Sequence, residues 1–164
     1  MMIRDERAAD IAAIHDLTVA AFASAHHASG TEAAIVEVLR QAGAMTLSLV
    51  ADDAGIVGHI AFSPVSIAGA IGDWQGLGPV SVAPTRQRQG IGGALIRAGL
   101  ERMKAAGVAG CIVLGDPVYY GRFGFVADPH LRFADVPSGY FQRLLFRGDA
   151  PAGEVTYHPA FAAV

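Results

Sequence analysis

Leu77-Gly78-Pro79-Val80-Ser81-Val82-Ala83-Pro84-Thr85-Arg86-Gln87-Arg88-Gln89-Gly90-Ile91-Gly92-Gly93 is the stretch from which this chain is read. It predicts a strand, a tight turn and a helix start. Val80 and Val82 flank Ser81 and suit an extended backbone, and Pro84 ends that strand because proline donates no hydrogen bond to a sheet. Gly90, Gly92 and Gly93 fall where the helix begins. The first amides of a helix have no intrahelical partner, and the dipole makes that end partly positive. Glycines there let a ligand come close to the backbone. With Arg86 and Arg88 at the rim, the site is suited to a phosphate or pyrophosphate. The spelling excludes two other phosphate loops: there is no G-x-x-x-x-G-K-[ST], and Leu95 stands where G-x-G-x-x-G needs its third glycine.

The pattern [QR]-x-x-G-x-[GA] is present as Gln87-Arg88-Gln89-Gly90-Ile91-Gly92, after Val80-Ser81-Val82-Ala83-Pro84. In this it resembles the coenzyme A loop of the GNAT superfamily, the GCN5-related N-acetyltransferases. A second segment, Tyr119-Tyr120-Gly121-Arg122-Phe123-Gly124-Phe125, resembles the family's Y-x-x-x-G-F at the end of the helix beside the acetyl group. The fuller spelling from Leu114 to Phe125 looks like the subgroup described as predicted N-acetyltransferases. The similarity is specific from Leu77 to Phe125. Outside it, only length and element order agree.

The 164 residues fit one domain, and 52% apolar residues suffice for a core. A net charge of −3 disfavours general nucleic-acid binding. The sole cysteine, Cys111, excludes an intrachain disulfide framework. The charged start, Met1 to Arg7, is not followed by an apolar export core, and no apolar run reaches membrane-span length. A soluble cytoplasmic protein without membrane or nucleic-acid partners is expected.

Apolar residues recur at helical spacing over residues 9–22, with Asp10 as the cap, and over 31–41, with Thr31 as the cap. Strands are expected over 45–51, 56–67 and 74–82, with turns at 52–55 and 69–72. A helix over 90–106 and a strand over 110–114 complete a parallel crossover, which puts the loop at the carboxyl end of a strand. A short helix from Pro117 and strands near 125–126, 140–146 and 154–157 follow. The expected fold class is α/β (α+β): a GNAT-like mixed sheet of six to seven strands, antiparallel on its N-terminal side, with about four helices. The resemblance further implies that the strand at Val80–Val82 splays from its parallel neighbour.

The resemblance implies that acetyl-CoA is the donor and that an amine, small or peptidic, attacks it directly. Gln87, Arg88, Gln89, Gly90, Ile91, Gly92 and Gly93 would hold the pyrophosphate. Val80, Ser81 and Val82 would offer main-chain groups to the pantetheine arm, one amide serving the oxyanion. Tyr120, four residues before Gly124, takes the place of the family's acid and would protonate the leaving thiolate; Tyr119 is its rival. Many family members carry an asparagine where Asp116-Pro117 stands here. The base stays open among Glu32, His59 and a water chain. His26 and His27 lack the companions of a metal site, so no metal is expected. Cys111 reads as core. The alternative is a non-catalytic acyl-CoA-binding or regulatory protein of the same fold; a nucleotide-binding module shares only the glycine turn.

Overall fold

The computed structural model describes residues 1–23, 30–137 and 139–162. The first half of the sheet is a meander: β1 (Met2–Asp5), β2 (Leu47–Asp52), β3 (Ile56–Ile67) and β4 (Ala70–Val82), each antiparallel to the next. The helices α1 (Ile11–Phe22) and α2 (Glu32–Gln41) lie between β1 and β2 in the chain. After β4 come α3 (Ile91–Ala105), β5 (Gly110–Leu114) and the short α4 (Pro117–Gly121). Last are β6 (Val126–Ala127), β7 (Leu131–Arg132), β8 (Phe141–Leu145) and β9 (Gly153–Thr156). Seven strands lie on one path, β1-β2-β3-β4-β5-β8-β6, while β9 pairs with the far end of β3 and with β7. The short β7 has no counterpart in the sequence reading; two residues leave no periodicity to detect.

Strands β4 and β5, joined through α3, run parallel, but only briefly. Their ladder is Trp74↔Gly110, Gln75↔Cys111 and Gly76↔Ile112. Beyond Gly76, β4 stays with β3 alone, through Leu77↔Phe62, Val80↔Ile60, Ser81↔His59 and Val82↔Gly58. Val113 and Leu114 of β5 pair on their other side with Gln142 and Phe141 of β8. The sheet therefore forks. A register shift at the start of the fork places Gly78 and Pro79 opposite Ala61. Proline removes a ladder donor there, and such bulges bend a strand beside a site.

Alternation along the strands assigns the two faces. Leu49, Ile60, Phe62, Leu77, Cys111 and Val113 pack against Ile91, Leu95, Ile96, Leu100 and Met103 of α3. On the opposite face, Val50 packs with Ile14 of α1 and Val36 of α2. Farther along that face, Trp74, Ile112, Leu131, Phe141 and Val155 form a second cluster. No helix among the described residues is long and apolar enough to cross a membrane.

Two local expectations are corrected. Asp10 makes no side-chain cap to α1. Its carboxylate instead accepts from Arg7 N at 2.7 Å, closing a 3-10 turn at Ala8–Asp10, and pairs with Arg4 at 2.7 Å. The Arg4 hydrogen bond, chiefly, holds the Asp10 carboxyl down at about 2. The hairpin expected to turn over 69–72 turns earlier: Ile67 pairs with Ala70, and Ala68 and Gly69 form the loop with φ of 51° and 80°. Two consecutive left-handed residues match the twist of a two-residue hairpin. As a result β4 begins at Ala70, not Trp74.

Candidate active site at the fork

Where β4 leaves β5, a cavity of about 890 Å³ opens between the end of β4, the start of α3, α4 and the end of α1. Its first wall is backbone. After a 3-10 turn at Pro84–Arg86 the chain adopts left-handed conformations at Arg88 (φ 63°) and Gly90 (φ 85°), and α3 starts at Ile91 with Gly90 as its N-cap. A left-handed conformation costs a non-glycine residue about 1–2 kcal/mol. At Arg88 that cost is carried beside a cavity, where backbone strain tends to collect. The Gln87 side chain donates to Val82 O at 3.2 Å and so ties the loop to the strand end. Three arginines line the cavity: Arg88, Arg97 and Arg122.

The second wall is aromatic. Asp116 caps α4, accepting from Val118 N at 2.7 Å and Tyr119 N at 3.3 Å, and Pro117 occupies the first turn, where no donor is needed. Buried Gln142 donates to Gly115 O at 3.1 Å and anchors the turn before the helix. A Cβ on Gly115 would overlap the Tyr120 ring, so glycine there lets Tyr120 lie back against the strand end. Tyr120 packs edge-on to Phe125 at 5.9 Å and to Tyr119 at 5.1 Å. Burial, with the neighbouring Tyr119 phenol adding to it, pushes the Tyr120 hydroxyl up to about 12, so it keeps its proton at neutral pH. Tyr119 lies nearer the loop: its hydroxyl is 3.3 Å from the place a Cβ on Gly92 would occupy, and Arg122 stacks on its ring at 4.8 Å.

One cleft thus brings together the N-terminus of α3 with three arginines, the strand edge that β5 leaves unpaired and the Tyr120 phenol. The chain matches the acetyltransferase (GNAT) domain family over residues 2–127. It belongs to the GNAT acetyltransferase family. It is 39% identical over 132 residues to the uncharacterized N-acetyltransferase YhbS of Escherichia coli K12, covering 79% of this chain and 76% of that one. A GNAT family acetyltransferase from Brucella melitensis, solved in complex with acetyl-CoA, superposes with a TM-score of 0.88 at 52% identity, covering 98% of this chain and 97% of that one. The E. coli YhbS structure, solved with CoA, gives a TM-score of 0.86 at 34% identity, covering 98% and 91%.

Most of the sequence-predicted residues of this acetyltransferase meet at the cavity: Val80, Val82, Gln87, Arg88, Gly90, Ile91, Gly92, Gly93 and Tyr120 all line it, and so does Tyr119. Two do not. The Gln89 side chain turns aside and accepts from Arg86 Nε at 3.1 Å. Ser81 faces the other side of the sheet, 1% exposed, with its hydroxyl directed at Thr18 Oγ1 at 3.4 Å. Only its main chain can serve the fork, which is the role expected of it. Arg86, expected at the rim, is tied to Asp53 at 2.7 Å and is not part of the lining. Arg97, on α3, also lines the cavity, although helical periodicity alone places it with Glu101 and Lys104 on the polar stripe of that helix. Its position seven residues after Gly90, two turns along the same helix face, was the signal for its place in the cleft.

Among the open candidates for a base, His59 is fully buried. Ser48 must donate to Glu6 Oε1 at 2.7 Å, because a carboxylate only accepts, so Ser48 Oγ accepts from His59 Nε2 at 2.8 Å. Burial lowers the imidazole to about 4, leaving it neutral. It belongs to a partly buried seam with Glu6 and Arg40 and does not line the cavity. Glu32 begins α2 and lies outside this lining as well. His26 and His27 fall outside the described residues, among which no cluster could hold a metal. Cys111 is buried and free, its thiol pushed up to about 12 by burial.

Proposed function

We propose that this protein transfers an acetyl group from acetyl-CoA directly to a primary amine, small or peptidic, and that the whole chain is one transferase domain. The observation that carries the proposal is the fork: a strand edge freed beyond Gly76 that leads, through the 3-10 turn at Pro84–Arg86, to the left-handed Gly90 and the N-terminus of α3. The start of α3, with Arg88, Arg97 and Arg122 around it, suits a pyrophosphate. The edge at Val80–Val82 suits an arm that carries amides, held as an added strand would be. In the reaction the amine nitrogen bonds to the thioester carbon, and the carbonyl oxygen becomes an oxyanion facing a main-chain amide of β4. The C–S bond then breaks, the sulfur leaves with the electron pair, and Tyr120 supplies its proton. The proton lost by the amine passes to water, and Tyr120 is reprotonated from solvent, so charge balances over the cycle.

Thiol release from acetyl-CoA across a panel of amines tests this reading, together with calorimetry of CoA against ATP. Amine-dependent release and selective CoA binding are expected. Equal affinity for ATP would remove the coenzyme assignment. CoA binding with no release for any amine would make the protein a binder.

A further inference from the structure

The pairing of β4 with β5 ends at Gly76 and Ile112, so the fork closes to an apex there. A ring fills the space over that apex. A Cβ on Gly76 would lie 2.9 Å from Tyr157 Cε1 and 3.2 Å from Val65 Cγ1, so only a glycine lets the ring lie this close to the strand. Tyr157, just beyond β9, is fixed from several sides. Phe133 meets it edge-on at 4.9 Å, and Phe161 lies at 5.1 Å. Phe161 ends a 3-10 turn, Pro159–Phe161, in which His158 Nδ1 accepts from Ala160 N at 3.0 Å. Ala160 in turn packs on Ile35 and Leu39 of α2. On the α3 side, Leu77 and Val113, the next residues along the two strands, are buried and close the same end of the slot.

The free edge of β4 leads toward this apex. Ala83 N donates to Val57 O of β3, so by alternation the main-chain groups of Val82 and Val80 face away from β3, into the fork. An arm paired with those groups, coming from the start of α3, directs whatever its sulfur carries onward to Gly76. Tyr120, which the proposed mechanism sets beside the sulfur, packs with the α3 core, while Tyr157 packs with the cluster of Trp74 and Ile112 on the other face. The two phenols lie close enough to interact: burial first, and then Tyr120, push the Tyr157 hydroxyl upward. The lining of the cleft includes Tyr120 but neither Gly76 nor Tyr157, so the open space stops short of the second ring.

We infer that Tyr157, with Val65 beside it, limits the length of the acyl group that the coenzyme can bring: the ring over Gly76 stops the slot just beyond the thioester, so a two-carbon acyl group fits and a four-carbon one does not. This rests on the acetyl-CoA reading of the cleft. Tyr157 determines specificity by filling space, and its hydroxyl takes no part. Interiors are packed closely enough that added methylenes force side chains off their rotamers or shift the backbone. A ring held by Phe133, Phe161 and Val65 has little freedom to yield.

Calorimetry with CoA, acetyl-CoA and butyryl-CoA tests this without an acceptor. The wild-type protein is expected to bind acetyl-CoA within about twofold of CoA and butyryl-CoA about tenfold more weakly, the scale of overpacking a filled site. Tyr157→Phe keeps the ring and should keep that discrimination. Tyr157→Ala opens the space over Gly76 and should bring butyryl-CoA to within about twofold of acetyl-CoA, on the same scale. Tyr157→Leu, which retains apolar packing against Phe133, should move in the same direction and serves if the alanine variant does not fold. Equal wild-type affinity for acetyl-CoA and butyryl-CoA overturns the inference with no variant needed. Discrimination that survives in folded Tyr157→Ala or Tyr157→Leu overturns it too, because the stop then lies elsewhere. If CoA itself does not bind, the coenzyme reading falls first and takes this inference with it. Discrimination with no amine-dependent thiol release would strike the transfer step and uphold the acyl limit.

Discussion

The loop from Gln87 to Gly92 and the ring cluster around Tyr120 face the same cavity, but side chains matter in opposite ways in the two. The loop offers main chain: the N–H groups at the start of α3 have no intrahelical partner, and the side chains of Arg86 and Gln89 are spent on each other and on Asp53. The ring cluster works through side-chain atoms, with the backbone of α4 as a mere holder, fixed by the Asp116 cap. The first wall is exposed and tolerant of residue type wherever φ is negative. The second is packed, and burial, with the neighbouring Tyr119 phenol adding to it, pushes the Tyr120 hydroxyl up to about 12. On the proposed mechanism this site binds with backbone and reacts through a partly buried side chain, so the two functions should separate on mutation.

The sharpest break between them is Tyr120→Phe. The ring still fills the space against Gly115 and Phe125, so CoA affinity should stay within twofold while turnover drops on the order of a hundredfold, the lower range for general acid catalysis. Tyr119→Phe should cost far less. If Tyr119→Phe is the crippling change, the acid is the tyrosine nearer the loop. The pH profile sharpens the same point. The folded phenol titrates at about 12 against an ordinary value of 10, so its proton is retained as pH rises past 10. Turnover should therefore show no loss from this group up to about pH 10. A basic limb near 8 that vanishes in Tyr120→Phe would contradict the burial described here.

Gly90→Val comes next. A β-branched residue at φ 85° is strained and brings methyl groups to the approach of the phosphate. CoA binding by calorimetry should weaken about tenfold, with about 1–2 kcal/mol lost in thermal stability. Turnover at saturating acetyl-CoA should hold. Unchanged affinity would mean that the pyrophosphate does not approach the amides at Gly90.

The smallest effect is expected for Arg88→Gly. It relieves the left-handed strain at φ 63° and removes one charge from the cavity rim. Melting should rise by about 2–4 °C for relief of about 1 kcal/mol. CoA affinity should fall about threefold at low salt, and the deficit should shrink as ionic strength rises. A loss of both stability and affinity would show that Arg88 is held by contacts that outweigh its strain.

The same contrast explains what the sequence disclosed. Gly90, Gly92 and the Val80-Ser81-Val82 alternation announce a strand-turn-helix because backbone chemistry is written locally, in glycines, prolines and spacing. The four-residue step from Tyr120 to Gly124 is local too. The Tyr157 ring reaches Gly76 only through the return of the chain's end, and no window of sequence contains both. Arg86 and Arg88 look alike in the sequence, yet Asp53, on the β2–β3 turn, removes Arg86 from the cleft. Asp10 is a helix cap by position, but the Arg7 amide and the Arg4 guanidinium take it first. In each miss, a partner distant in sequence or a competing local bond overrode the pattern.

The fork also divides β4 into two halves with different protection against solvent exchange. From Trp74 to Gly76 the strand has neighbours on both sides, and its amides should exchange deuterium slowly and together. From Leu77 to Val82 only β3 flanks it, so alternate amides point into the cleft and should exchange early. A bound arm that adds to this edge would silence those amides selectively. One strand thereby carries its own internal standard: the ratio of labelling between its halves would report coenzyme occupancy without an acceptor, a turnover or a label on the ligand.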